Sequence, residues 1–441
     1  MPFSARRTTI ANLLLSGLFT TFVFGQTALA GTRCVNPAGS QGCYATIGAA
    51  VSAAAANDII NIAPGSYAEN VVVNKPLSLV GSGPESTIIN AKGLANGIYV
   101  DGLDNPGLSG VIVTGLTVMN ANFEGILLTN VSYSMITENH VTDNDQSLNY
   151  AAGTCPGLPV FETNEGEDCG EGIHLVGVDH TTVANNTVDL NSGGILLSDE
   201  TGQTHDNMIL GNNVHENALD CGITLASHAP SPKASSPLPY GIFNNTIQGN
   251  IASGNGRVGA GAGIGIFAPG PGNMNFGNKV IGNLIMNNGI PGVSIHNHAA
   301  PPGAPPVNLN DNVIVGNFIS GNGADDADAS TAGPTGINVY GVAPIYGTVI
   351  AENTIVNEAF DVVMNNPGAM ETHLNNLLGG KTGVANLGKG VVSATVNFWG
   401  CPGGAGATGC AVAQGPVTAA PALSAPAGSA PAPASGGTRK Q

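Results

Sequence analysis

Two short frames of alternating apolar and polar residues recur along the chain. The first is apolar-x-x-Asn-x-apolar-x-x-Asn, as in Ile136/Asn139/Val141/Asn144, Val183/Asn186/Val188/Asn191 and Ile209/Asn212/Val214/Asn217. It continues through Ile247/Asn250/Ala252/Asn255, Val280/Asn283/Ile285/Asn288 and Ile314/Asn317/Ile319/Asn322, and its last copy ends on Glu358 in place of asparagine. The second frame, Gly-apolar-x-apolar, follows each copy, as in Gly172-Ile173-His174-Leu175, Gly194-Ile195-Leu196-Leu197 and Gly222-Ile223-Thr224-Leu225. Alternation of period two places one face of each segment in a core and the other outside. Self-similarity of this kind marks a solenoid, in which each coil covers the apolar face of the one before.

The pattern therefore predicts an all-β parallel β-helix. Spacing between copies is irregular, which loops inserted into coils explain better than separate domains. The repeated asparagines are expected at the corners, where the amide can bond its counterpart on the next coil and the backbone can turn left-handed. Ends of a solenoid need covering. A short amphipathic helix over Ile47 to Asn57 is expected to cap the first coils, and Trp399 to plug the other end of the core.

Composition agrees. Sixty-four glycines and 9% charged residues do not suit a helical protein, whereas 42% hydrophobic residues can fill a core. The formal charge of −17 argues against nucleic acid and anionic membranes as partners, since both need clustered Lys and Arg. An anionic polysaccharide would need a bridging cation.

The N-terminus reads as a signal peptide over 1–30: Arg6-Arg7, the apolar run Leu13 to Phe24, then Ala28-Leu29-Ala30. Its Arg-Arg pair matches the twin-arginine pattern only in part, so the export route stays open. No later stretch is long and apolar enough to span a membrane. The expected organisation is a signal peptide over 1–30, a β-helix over 31–411 and an Ala/Pro-rich flexible tail over 412–441. Export, to the periplasm, the cell surface or the medium, fits the cysteines. Cys34/Cys43, Cys155/Cys169 and Cys401/Cys410 form close pairs suited to disulfides, and Cys221 is left as a small core residue.

The stretch Tyr44–Gly83, with Ala-Pro-Gly-Ser-Tyr-Ala-Glu-Asn at 63–70, Asn74-Lys75-Pro76 and Leu79-Val80-Gly81, resembles bacterial right-handed β-helix repeat proteins. So do the asparagine coils and the ending Asn397-Phe398-Trp399-Gly400-Cys401, so the resemblance covers roughly 44–410. It implies the pectin-lyase-like superfamily and a right-handed helix. That superfamily holds polysaccharide lyases, glycoside hydrolases, uronate epimerases, adhesins and maturation proteins, so it implies no single activity. The Asp-Pro-His motif of the epimerases and the Gly-His-Gly and Arg-Ile-Lys motifs of the polygalacturonases do not occur.

Insertions indicate the working face. Residues 145–171 and 323–335 precede glycine-frame strands, and 227–245 and 298–311 follow them, so both sets should wall a groove along one sheet. Outward positions on its floor include His174, Thr224, Ser294 and Asn338 in one column, and Ser198, Phe267, His296 and Tyr340 in the next. Rings in Phe267, His296 and Tyr340 could stack sugar rings, with Asn338 and Arg257 as polar contacts. Glu171, His174, Asp199 and Asp220 are the acid–base candidates, because glycosidic hydrolysis uses two carboxyl groups in separate roles. A solvated turn is the plain alternative for the acids. His205, His215, His228 and His298 lack ligand spacing and read as surface residues. Calcium is a possible cofactor at the acidic runs Glu162/Glu165/Glu167/Asp168/Glu171 and Asp325/Asp326/Asp328.

The sequence thus supports a secreted protein that binds a polysaccharide or cell-surface glycan and could cleave it as a lyase or glycoside hydrolase. The alternative is a non-catalytic surface or matrix adhesion protein. A copper-enzyme maturation factor fits less well, lacking a Cys/Met/His cluster.

Overall fold

A computed structural model describes residues 30–163, 169–228, 240–327, 331 and 333–428. The expected signal peptide falls almost wholly outside the described residues. Three long parallel sheets run the length of the molecule, of 14, 11 and 12 strands. One coil shows the plan: Met208–Leu210 lies in the first sheet, Asn213–His215 in the second and Ile223–Ala226 in the third. The third sheet, built from the glycine frame, is called the floor sheet below. Strands inside these sheets pair in parallel with the coil before and the coil after, with residue registers that match the two frames.

The core is the stack of inward apolar residues. Ile136, Val183, Ile209, Ile247, Val280, Ile314 and Ile350 form one fully buried column, and Val141, Val188, Val214, Ala252, Ile285, Ile319 and Ile355 another. Each larger side chain so buried contributes about 1.5–3 kcal/mol relative to exposure.

Asparagine ladders hold the corners. Asn186 is typical: its backbone N–H and its Nδ2 both donate to Asn212 Oδ1 at 3.0 Å, and Nδ2 also donates to the Ile136 carbonyl. The same pattern repeats from Asn191 to Asn217 at the second corner. A third ladder, not anticipated, runs through Asn207, Asn245, Asn278 and Asn312. One expectation is corrected here. The left-handed residue is the one before the ladder asparagine, as at Glu138, Asn185, Leu190 and Glu216, all with φ between 54° and 56°. The ladder residue itself keeps an ordinary backbone, since its amide must lie along the stack.

The capping helix spans Ile47–Ala53, shorter than expected. Thr46 Oγ1 accepts from Ala49 N, and the Glu69 carboxylate accepts from Ile47 N and Gly48 N, so the helix start is satisfied by two side chains. At the other end Trp399 is fully buried. The boundary at 411 is also corrected. Val412–Gln414 joins the floor sheet and Val417–Thr418 the first sheet, while Ala427 exchanges hydrogen bonds with the Asn376 amide. Residues 412–428 therefore extend the solenoid. Disulfides link Cys34–Cys43, Cys155–Cys169 and Cys401–Cys410, and Cys221 is a buried free thiol. Among the described residues no helix is long and apolar enough to cross a membrane.

Candidate functional site

The floor sheet sets its outward residues in two columns. Leu127, His174, Leu196, Thr224, Gly265, Ser294 and Asn338 are in register in one, and Thr129, Val176, Ser198, Ala226, Phe267, His296 and Tyr340 in the other. The expected groove does not run open along them. The insertion closed by Cys155–Cys169 lies over the N-terminal half, where Phe161 packs on Leu127 and Val176. Asn338, expected as a contact residue, is fully buried, and its side-chain nitrogen and oxygen make no hydrogen bond.

An open cleft of about 690 Å³ remains over the central coils. Its floor carries Ala226, Phe267 and His296, and its walls carry Thr163, His228, Pro269, His298, Asp325 and Asp326. These wall residues come from all the insertions expected to flank the sheet, and from the turn at Pro269. Phe267 and His296 stack at 4.1 Å between centroids and 20° between planes, and His296 stacks on His298 at 4.6 Å. Tyr340 lies tilted beyond His298 at 6.4 Å, so a histidine read as a surface residue completes the row. Phe267 folds its ring back over Gly265, where any side chain would collide with it. Arg257 is exposed on the loop beyond Asn255 and does not line the cleft.

The four acid–base candidates separate into different roles. Asp220 lines the cleft and accepts from Thr224 Oγ1 at 3.4 Å. Asp199 is fully buried and anchors the wall: Ser227 Oγ donates to Oδ2 at 2.8 Å and His228 N to Oδ1 at 2.7 Å. Burial, with the charge of Glu200, pushes the Asp199 carboxyl up to about 7. Burial pushes Glu200 the same way, but the charge and hydrogen bond of His228, with His174, overcome it and hold Glu200 at about 2. His228 Nδ1 lies 2.9 Å from Glu200 Oε1, so His228 is a buried ion-pair partner and not a surface residue. The acids at 199 and 200 are likewise not solvated.

Glu171 and His174 sit under the roof, in a closed chamber. His174 Nδ1 lies 3.3 Å from Glu124 Oε1 and 3.9 Å from Glu171 Oε2, and its Nε2 lies 2.8 Å from Ser198 Oγ. Glu162 reaches in from the insertion, and burial together with Glu124 raises its carboxyl well above the ordinary range. Asp145 is raised in the same way by burial and by Glu124. Chamber and cleft adjoin at Gly193, where a methyl group would meet Glu171 Cγ at 2.8 Å and Asp220 Cβ at 3.4 Å. Glu124 was missed from the sequence, although Glu124-Gly125 and Glu171-Gly172 occupy the same place in the glycine frame on successive coils. Of the expected calcium runs, Glu165, Glu167, Asp168 and Asp328 lie outside the described residues.

A three-sided parallel solenoid with asparagine corners and a loop-walled floor sheet defines the parallel β-helix class. The family described as "Right handed beta helix region" matches residues 82–236. Over those residues, and by the parallel pairing of its sheets, the chain is a right-handed parallel β-helix. No curated protein matches it in sequence. Among solved structures it is similar to the A-module of Azotobacter vinelandii mannuronan C-5 epimerase AlgE6, at 15% identity and TM-score 0.49, covering 86% of this chain and 94% of that one. It is also similar to an alginate lyase from Paenibacillus sp. str. FPU-7, at 12% identity and TM-score 0.47, covering 85% and 96%. The AlgE4 A-module of Azotobacter vinelandii gives 13% identity and TM-score 0.46, covering 76% and 88%.

Proposed function

We propose that the protein is an exported polysaccharide-binding β-helix whose central cleft holds a run of sugar rings. The observation that carries this reading is the stacked row Phe267–His296–His298, which runs from the cleft floor onto its wall. Stacked face to face, these rings turn their edges and imidazole nitrogens to the cleft, a row of apolar and hydrogen-bonding positions along which sugar rings can lie. Asp220, Asp325 and Asp326 around it supply acceptors for sugar hydroxyls. With a net charge of −17, the protein favours a neutral glycan, or an acidic one carried with a bridging cation. Cys34–Cys43, Cys155–Cys169 and Cys401–Cys410 suit an oxidising compartment outside the cytoplasm.

Affinity electrophoresis against plant, algal and bacterial polysaccharides tests the proposal. The wild-type chain should be retarded by at least one glycan, and Phe267→Ala and His296→Ala should each remove most of that retardation. Failure of the wild-type chain to bind any of the polymers, neutral or acidic, with and without calcium, would retire the reading in favour of an adhesive rod.

Cleavage is a second reading, favoured by Asp220 in the cleft and Glu171 beside it across Gly193. Two carboxyl groups are the minimum for acid–base work on a glycosidic bond, and these two stand two coils apart with Gly193 between them. Release of reducing ends or unsaturated products by the wild-type chain, abolished in Asp220→Asn, is the expected result. Turnover that survives Asp220→Asn would exclude this residue from the chemistry.

A further inference from the structure

A histidine and two carboxylates meet under the roof. Ligand atoms of Glu124, Glu162 and His174 all lie within 4.8 Å of one another, on two floor coils and the insertion that covers them. We propose that these three residues bind one divalent first-row transition ion, which locks the Cys155–Cys169 insertion onto the floor sheet.

Three observations support the assignment besides the clustering of acids. First, two buried carboxylate oxygens there have no hydrogen-bond partner: Glu162 Oε1 and Glu200 Oε2. Glu200 is only 2% exposed, and its Oε1 accepts from Thr163 N, the residue after Glu162, at 3.3 Å. A buried carboxylate oxygen without a donor is costly unless a cation or a proton satisfies it. Second, His174 is already oriented as a ligand. Its Nδ1 faces Glu124 and Glu171, while Nε2 stands 2.8 Å from Ser198 Oγ, which can accept the second ring proton. A ligating histidine is ordinarily fixed in this way through its other nitrogen. Third, backbone room is reserved around the carboxylates: Gly170, at φ +129°, leaves space that a side chain would take from Glu124.

The donor set selects the class of ion. Calcium takes six to eight oxygens and has little use for an imidazole. One imidazole with two carboxylates suits zinc, manganese or iron(II). The chamber therefore differs in kind from the oxygen-only calcium loops expected from the acidic runs. Its role would be positional. Thr163, one residue from Glu162, lines the cleft, so an ion at Glu162 fixes that wall.

The inference does not rest on the glycan reading, and its readouts are metal content and melting temperature. The exported full chain is purified without chelator, stripped with EDTA, and reloaded with zinc, manganese or calcium. Metal is then counted by mass spectrometry. About one zinc or manganese per chain is expected, with a melting temperature raised on reloading, since the ion binds the folded state alone. Glu162→Gln and His174→Ala should each cut stoichiometry to about a tenth or less at the same free metal, as loss of a ligand does. Glu162→Gln guards against a folding defect, because the residue lies on an insertion and circular dichroism can verify the helix. His205→Ala is the control, since His180, His205 and Asp206 form a second, exposed group. Metal lost in His205→Ala but kept in Glu162→Gln would overturn the proposal. So would binding of calcium alone, or no metal retained after reloading with zinc and manganese.

Discussion

Asn322 donates both its backbone N–H and its Nδ2 to Glu358 Oε1 at 3.0 Å, where every earlier rung of that ladder is an asparagine. A carboxyl group thus ends a stack of amides. Its Oε2 is buried and makes no hydrogen bond, and burial, partly offset by the Asn322 bonds, pushes the group up to about 7.

The sign of the resulting pH effect is fixed. Below the unfolded value near 4.5 the group is protonated in both states, and its contribution to stability is complete. As pH rises to about 7 the unfolded chain ionises first, and stability falls by roughly 3 kcal/mol. Glu358→Gln should therefore melt like the parent at pH 4 and several degrees higher at pH 8. Equal melting differences at both pH values would show that Glu358 is ionised in the fold.

Neighbouring residues at one corner should respond in opposite directions. Asn191 accepts from Asn144 N and Nδ2 and donates to Asn217 Oδ1 and the Val141 carbonyl, all in the buried ladder. Asn191→Ala leaves several of these groups unpaired and should cost about 3–5 kcal/mol. Leu190, immediately before it, is exposed and held at φ 56°. Leu190→Gly should stabilise the protein by about 1 kcal/mol, because leucine pays to enter the left-handed region and glycine does not. Thermal or denaturant unfolding of the two variants measures both.

Those corners divide what can be read in the sequence from what cannot. Alternation and the asparagine spacing are local, so the coils, their register and two ladders were legible. The third ladder was also written there, two residues before Ile209, Ile247, Val280 and Ile314, but outside the frame that was counted. Asp199, Glu200 and His228 were misread for a different reason. Their burial comes from insertions that close over them from other coils, and no local pattern carries that. His298 entered the aromatic row in the same way, from a loop whose path periodicity does not specify.

Gly265 offers a test of the cleft that leaves its contact residues unchanged. The Phe267 ring occupies the space a side chain at 265 would need. Gly265→Ala should displace the ring from His296 and weaken glycan retardation about tenfold, the scale of one aromatic contact, with little loss of melting temperature. Unchanged retardation would mean that the ring's position does not matter for binding.

Cys155→Ser combined with Cys169→Ser opens the insertion without touching the coils. The bridge closes a loop with a sequence separation of 14 residues, a constraint worth about 3 kcal/mol in local loop entropy. Limited proteolysis should cut the variant faster between 145 and 171, while the solenoid melts near the parent temperature. Loss of the whole β-helix transition would show that the roof is part of the core.

The ladders keep step with one another from coil to coil. Thr181 to Asn207, Asn186 to Asn212 and Asn191 to Asn217 each span 26 residues, and the next three rungs each span 38. Added length is thus confined to the arc that crosses the floor, and passes to all three corners equally. Segments on that arc can be exchanged, lengthened or transplanted without disturbing a single rung, so the protein's lineage is free to rewrite what it recognises while inheriting the rod intact.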